Sequence, residues 1–372
     1  MLQLARRGLA AASRHAEIKT LAALNCRNTP EDLRKPFARR YLDLLYSMIR
    51  WNELTPLYYA QQLDHKGKHI SRDFLTYRQF QRMRNRANGT APGAGPFNYA
   101  CLLQDKLLFE RYFAARGIPV ARSIGATEHG GLLRDDGTLD RDFWRRAKDD
   151  LEGMELFVKP RYGIKGRGAF KLRFTDGQII LNDTPTNPEE LDERLSGSAH
   201  IVQKVIEQHP SIAQLHPPSL NTLRIIMFRS ADEIHVFLPY LRMACGGRIT
   251  DNNAVSRALV QVDEHSGRAH ANGYLIREGV ASTISKHPDS GIVFSELAIP
   301  YLGESIELAK SAHRWMPDMY SIGWDVAITP NGPLLLEGND DWGATTPMWV
   351  MPDFVPRFLE MTGRAEVNRG KR

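Results

Sequence analysis

Two carboxylates and an amide are spaced to meet near the C-terminal end of the chain. The stretch from Gly323 to Asn339 reads as two apolar strands about Pro330-Asn331-Gly332-Pro333, because Asn-Gly between hydrophobic runs is a strong hairpin signal. Asp325 and Glu337 each lie six residues from Asn331, so folding about the turn brings them together. Glu337 and Asn339 are two apart, and on a strand both side chains leave the same face. Three hard oxygen donors then share one side of an otherwise apolar hairpin. Such a set suits Mg²⁺, which takes carboxylate and carbonyl oxygens and fills its remaining positions with water and phosphate. A hairpin with scattered surface acids, or a purely structural ion site, is the plainer alternative. Against the first stands Leu334-Leu335-Leu336, since a carboxylate buried beside such a run needs a partner.

A second constellation is Phe157-Val158-Lys159-Pro160-Arg161-Tyr162-Gly163-Ile164-Lys165-Gly166-Arg167-Gly168-Ala169. Here Lys159 ends an apolar strand, and a glycine-rich loop with further cations follows before the chain returns as a strand. Glycines let backbone N–H groups wrap phosphate oxygens while Lys159 and Lys165 supply compact charge, with Gly166 and Gly168 giving the close approach. The spacing is not that of a P-loop, and a strand rather than a helix follows, unlike a dinucleotide-binding turn. A lid over a nucleotide remains, beside the alternative of a basic hairpin. The strand Gln203-Lys204-Val205-Ile206-Glu207 breaks at Gln208-His209-Pro210. It reads either as a plain linker strand or as a hinge offering backbone groups to a base and Glu207 to a ribose. Arg224 alternates with Leu223 and Ile225, which places it on the cleft side, where it could stabilise a transferring phosphoryl group or enter a structural ion pair.

These residues need a scaffold. The chain has 372 residues, beyond the ~250–300 at which one core stops growing, so two or three domains are expected. Hydrophobic content of 42% and charged content of 25% are those of a globular protein. Cys26, Cys101 and Cys245 are far apart, which excludes a disulfide framework and fits a reducing cytoplasm. No apolar run is long enough to span a bilayer. The net charge of +6 suits an anionic partner. Nucleic acid is disfavoured, because Phe74, Tyr77 and Phe80 among the arginines from Arg72 to Arg86 fall at helical spacing and read as a core stripe. Arg6, Arg7 and Arg14 without an acid before Ala16 resemble either a targeting presequence or a basic leading helix.

Residues 1 to about 88 read as helices, Pro36 to Trp51 most clearly, before the Gly/Pro cluster from Asn88 to Pro96. A helix from Asp105 stops at Gly117, and Ile118-Pro119-Val120 enters a strand. Further strands are expected at Glu155 to Lys159, Ala169 to Phe174, Gln178 to Leu181, Ile201 to Ile206, Thr222 to Phe228, Ile234 to Ala244 and Leu259 to Asp263, with a helix over Tyr301 to Trp315. Strands and helices mix without β-α-β alternation, so the fold class is α+β. Three regions result: 1–95 helical, 96–203 with the lid, and 204–372 with the hairpin.

In this order, Asp105-Lys106 before Gly117-Ile118-Pro119-Val120, Lys159 before the glycine loop, the Gln203 to Glu207 strand, and Asp325 with Glu337-x-Asn339 resemble the ATP-grasp superfamily. Asn221-Thr222-Leu223-Arg224-Ile225, Asp251-Asn252, His287-Pro288-Asp289-Ser290-Gly291 and Gly323-Trp324-Asp325 resemble its sugar-transfer-associated branch. The chain departs from that branch after Asn252, where Ala254-Val255-Ser256-Arg257 replaces a glycine pair. The resemblance implies an ATP-grasp fold of two α+β subdomains clamping ATP, behind a helical N-terminal region. It implies ATP on Lys106, Lys159, Lys165, Gly166, Gly168, Gln203, Lys204, Val205 and Glu207, with one or two Mg²⁺ ions, replaceable by Mn²⁺, on Asp325, Glu337 and Asn339. Arg224, Arg242 and Lys159 become the catalytic candidates. Asn221, Asn252, Arg257 and His287 become candidates for the acceptor side. The activity implied is an ADP-forming carboxylate–amine ligase working through an acyl phosphate, on an amino acid and a sugar acid or polysaccharide precursor. A phosphotransferase acting on a hydroxyl is the alternative. The implied partners are small molecules, with the oligomeric state open between monomer and homodimer.

Overall fold

The computed structural model describes residues 14–23, 30–52, 57–90, 99–163, 168–230, 233–247, 256–277, 280–343, 345–351 and 353–369. Two antiparallel sheets organise them. The first contains β1 (Ser123–Glu128), β2 (Gly131–Leu133), β3 (Leu139–Asp140), β4 (Glu155–Pro160), β5 (Phe170–Thr175), β6 (Gln178–Leu181), β7 (Thr184–Thr186) and β8 (His200–Lys204), in the order β3-β2-β1-β8-β4-β5-β6-β7. The second contains β9 (Thr222–Ser230), β10 (Glu233–Ala244), β11 (Ser256–Gln261), β12 (Gly273–Arg277), β13 (Val280–Ile284), β14 (Ser321–Thr329) and β15 (Gly332–Asn339), in the order β13-β12-β11-β10-β9-β14-β15. This is the α+β architecture expected, without a β-α-β crossover. Among the described residues no helix is long and apolar enough to cross a membrane.

Alternation decides which face of each sheet is covered. On the first sheet Leu156, Val158, Phe170, Leu172, Phe174 and Val202 turn to one side, where the helices Phe143–Asp150 and Pro188–Ser196 bury them. Their neighbours Phe157, Lys159, Lys171 and Gln203 turn to the other side and line a cavity. On the second sheet Leu223, Ile225, Met227, Trp324, Val326 and Ile328 bury one face against the helices Ala100–Gln104, Lys106–Ala114 and Leu302–Arg314. Its other face changes character along the strands. Ile226, Phe228, Leu238 and Tyr240 pack under the N-terminal and C-terminal helices. Thr222, Arg224, Arg242 and Asp325, one or two strand positions further on, carry no such cover from apolar residues.

Among the described residues, Ile18, Leu44, Tyr58 and Phe80 share one core cluster with Ile226, Phe228, Trp342 and Phe358. Asn88, at the expected boundary, is fully buried and ties Ser321 and Asp340 through its side-chain amide. Residues 100–114 likewise belong with the second sheet rather than with the lid sheet. Burial decides this, because short amphipathic helices cannot stand without a sheet face to cover. Two strand expectations also shift. Ile118–Val120 contributes an isolated parallel bridge from Val120 to Leu335, with the strand itself starting at Ser123. Leu259–Asp263 moves back to Ser256–Gln261, since Val262 makes only a bridge to Ala269.

The aromatic stripe behaves as a core stripe. Phe74 and Phe80 are buried, the helix starts at Tyr77 behind a Thr76/Gln79 capping box, and Arg78, Arg82 and Arg86 remain on the wet face.

Candidate active site

The hairpin forms as its sequence suggests, with one residue extra. Thr329 pairs with Gly332, so the loop is Pro330-Asn331, and regular pairing would set Asp325 opposite Leu336. A bulge between Asp325 and Val326 absorbs Leu336 and makes Glu337 the partner of Asp325. A one-residue slip moves a strand's side chains to the opposite face, so this bulge is what keeps Glu337 and Asn339 on the site side. Gly338 points the other way, where an added Cβ would stand 2.7 Å from the Trp324 ring and 2.8 Å from Leu103.

Cross-strand pairing then builds a polar row. Tyr240 on β10, Arg224 on β9, Asp325 on β14 and Glu337 on β15 lie side by side. Arg224 grips Asp325 with two donors, Nε to Oδ1 and Nη2 to Oδ2 at 2.8 Å. Arg242 Nη2 reaches Oδ2 at 3.0 Å and also donates to Thr222 Oγ1. Burial alone would push the Asp325 carboxyl up, but the two guanidiniums outweigh it and hold it far below the usual carboxylate range. Glu337 moves the opposite way: desolvation and the Asp325 charge raise it, against a pull from Lys159 and Lys106. The two neighbouring carboxyls are thus pushed in opposite directions, Asp325 down and Glu337 up. Asn339 Nδ2 donates to Gly323 O at 3.2 Å and lies 3.5 Å from Asp325 Oδ2.

Lys159 and Lys106 face this row from across the cleft. Desolvation lowers both amines, and Glu337 is the main group holding them charged. Both line a cavity of about 410 Å³, together with Gly163, Lys171, Gln203, Lys204, Val205, Glu207, Arg242, Asp325 and Glu337. Lys106 is placed by its neighbour. Asp105 caps the helix Lys106–Ala114 through Leu107 N and Leu108 N, and the same carboxylate holds Arg161 bidentately at 2.9 and 2.6 Å. Lys106 Nζ donates to Gly163 O at 2.9 Å, so the root of the glycine loop is fastened to the helix. From the next strand Lys171 Nζ crosses to Pro218 O at 3.0 Å, joining the lid sheet to the loop before β9.

Arg161 and Lys171 were not singled out in the sequence, although Arg161 sits two residues after Lys159 and Asp105 stands at an N-cap position. Other expected residues go elsewhere. Arg224 is on the cleft-side face but engaged by Asp325, and it does not line the cavity itself. Asn221 staples the hinge, with its amide shared between Gln208 Oε1 and Ile212 O at 3.0 Å each. Arg257 donates to Thr346 Oγ1 at 3.1 Å. His287 is buried, its Nε2 donating to Ala244 O at 3.0 Å while Nδ1 receives Asp289 N, so it braces its own loop. Cys245 lies 3.7 Å from His287 Nε2, but burial pushes its thiol up to about 11, so this pair is no nucleophile. Lys165, Gly166 and Asn252 lie outside the described residues, whereas Gly168 closes the loop at φ +77°.

No group of three or more His, Cys, Asp or Glu with metal-site geometry occurs among the described residues. The donor set is two carboxylates and an amide, and its chemistry still fits a hard dication. Asp325 and Glu337 pair across the hairpin, and a dication would offset the two adjacent carboxylates.

Comparison with known proteins bears on this geometry. The model of the sugar-transfer associated ATP-grasp family matches residues 94–352. No curated protein matches the sequence. Among solved structures, D-alanyl-alanine synthetase A from Vibrio cholerae is 14% identical, with 77% of this chain and 74% of that chain covered and a TM-score of 0.42. D-alanine–D-alanine ligase from Bacillus anthracis is 14% identical over 72% of this chain and 70% of that one, with a TM-score of 0.38. N5-carboxyaminoimidazole synthetase from Staphylococcus aureus, complexed with ADP, is 12% identical at a TM-score of 0.39. The match covers 70% of this chain but only 52% of that protein's length.

Proposed function

The chain belongs to the sugar-transfer associated ATP-grasp family, and on that premise we propose that it is an ADP-forming carboxylate–amine ligase. The observation that carries the reading is the convergence on one cavity of Lys159 from the first sheet, Asp325 and Glu337 from the second, and Lys106 from the start of the helix Lys106–Ala114. Lys106 and Lys159 bind the phosphate chain, their charge undiluted by water in the desolvated cleft. The hinge residues Gln203, Lys204, Val205 and Glu207 border the base and ribose end, and Gly163 lines the same cavity. Asp325, Glu337 and Asn339 would hold Mg²⁺, which when bound neutralises charge on the phosphate oxygens.

The substrate carboxylate oxygen attacks the γ-phosphorus, the bond to the β-phosphate oxygen breaks, and ADP leaves with that electron pair. An acyl phosphate remains. The amine then attacks its carbonyl carbon, phosphate departs, and one proton is lost from nitrogen. Arg242, which lines the cavity, is the cation placed to steady the phosphoryl group and the later oxyanion. Arg224 works through Asp325, as a positioning residue. An amino acid and a sugar acid or polysaccharide precursor are the substrate classes that the family's association with sugar transfer supports. The second reading, phosphoryl transfer to a hydroxyl, uses the same phosphate residues.

Hydroxylamine separates the two. A screen of carboxylates and sugars with ATP should yield an ATP-dependent hydroxamate with the active carboxylate, lost in Glu337→Ala. Accumulation of a stable phosphate ester would sink the ligase reading in favour of the kinase.

A further inference from the structure

The helix Phe37–Trp51 presents an apolar stripe to the outside. Its inner side carries Leu44 and Ser47 into the core. On its outer side Leu42, Tyr46 and Ile49 are 53%, 40% and 77% exposed. At 100° per residue these three lie on one narrow arc, with exposed Arg39 and Arg50 along its edge. The helix holds a single acid, Asp43, and it points inward, bonded to Lys35 at 2.6 Å and to the Tyr58 hydroxyl at 3.0 Å. Single exposed apolar residues are ordinary, but a continuous stripe of large ones marks a contact surface.

Charge identifies what the stripe meets. Residues 1–90 contain 17 Lys and Arg against 7 Asp and Glu, while the whole chain has 49 against 43. The remaining 282 residues, with 32 basic and 36 acidic, are therefore net acidic. The positive excess lies in the N-terminal 90 residues of the sequence, to which the stripe-bearing helix belongs. An apolar arc edged by arginines, with aromatic Tyr46 and Trp51 in edge contact at 5.4 Å, matches a surface that is anionic outside and apolar beneath.

We propose that the outer face of this helix seats the protein on an anionic phospholipid surface. Leu42, Tyr46 and Ile49 enter the headgroup boundary and Arg39 and Arg50 meet lipid phosphates.

Co-sedimentation of the full chain with vesicles tests this. It should bind vesicles of roughly one-third phosphatidylglycerol far better than pure phosphatidylcholine, and added salt should weaken the binding. The Leu42→Asp/Ile49→Asp variant should lose binding at least roughly tenfold with Mg-nucleotide affinity and thermal unfolding unchanged. Arg39→Glu/Arg50→Glu, which leaves the apolar residues in place, should lose roughly tenfold on the anionic vesicles and keeps the test open if the first variant misfolds. Absence of wild-type binding, or binding by both variants as tight as that of the wild type, overturns the proposal. So does a dimer in light scattering that the aspartates dissociate, since a second copy would then be the occupant.

Discussion

Glu337 pairs with Asp325 and lines one cavity with Lys159 and Lys106, so protonation of its carboxyl would oppose a cation held there. Desolvation raises its carboxyl above the ordinary 4.5, and metal-dependent nucleotide binding should therefore weaken as pH falls through that raised value. Titration calorimetry at several pH values checks the sign: affinity should rise with pH and then level off, and Glu337→Gln should flatten the profile. Turnover in Glu337→Ala should fall on the order of 10²–10³-fold. Asp325 has a second duty, because its charge offsets two buried guanidiniums. Asp325→Asn should destabilise the fold by about 3–5 kcal/mol, read by denaturant unfolding, since it leaves those cations unbalanced. That the two carboxylates lie near each other was legible from their distance about Asn331, but their direct pairing rests on the bulge at Leu336. That Arg224 serves Asp325 was not, because alternation gives the face of a side chain and not its partner.

At the scale of elements, positions were legible where periodicity was strong and illegible where tertiary contact decides. The glycine-loop hairpin, the helix after Asp105 and β14–β15 follow directly from alternation, capping and turn residues. The bulge at Leu336 does not, since nothing in three consecutive leucines marks which one is extra. Gly338 is the element's tightest point. Gly338→Ala should cost about 1–3 kcal/mol through overpacking against Trp324 and Leu103, visible as a lower denaturant midpoint. Asp105→Ala removes both a helix cap and the Arg161 clamp. A loss of about 1–2 kcal/mol from the cap alone is expected, and the KM for ATP should rise because Lys106 loses its anchor. An unchanged KM would mean that the clamp is purely structural.

The whole molecule is a cleft between two sheets, with the second sheet sandwiched between helical layers contributed by both ends of the chain. This layering was not legible in the sequence, because the N-terminal helices and residues 100–114 are separate in the chain yet cover opposite faces of one sheet. His313 lies within it, its Nε2 donating to Met319 O at 3.0 Å and its ring held neutral, since burial pushes the imidazole from 6.5 down to about 3. The unfolded chain takes up a proton below 6.5 that the folded chain refuses, so stability rises with pH between these values and is lost on acidification. By pH 5 this amounts to about 2 kcal/mol. Unfolding at pH 5 and 7 should show it, and His313→Phe should remove that part of the slope. The central claim is that the facing sheets close on a metal–nucleotide complex, and calorimetric binding of ATP with and without Mg²⁺ tests it most directly. Wild-type protein should bind ATP more tightly with Mg²⁺, Glu337→Ala should lose that Mg²⁺ dependence, and Lys159→Gln should bind ATP weakly in either condition. Equal ATP affinity and equal Mg²⁺ dependence in all three proteins would contradict the account.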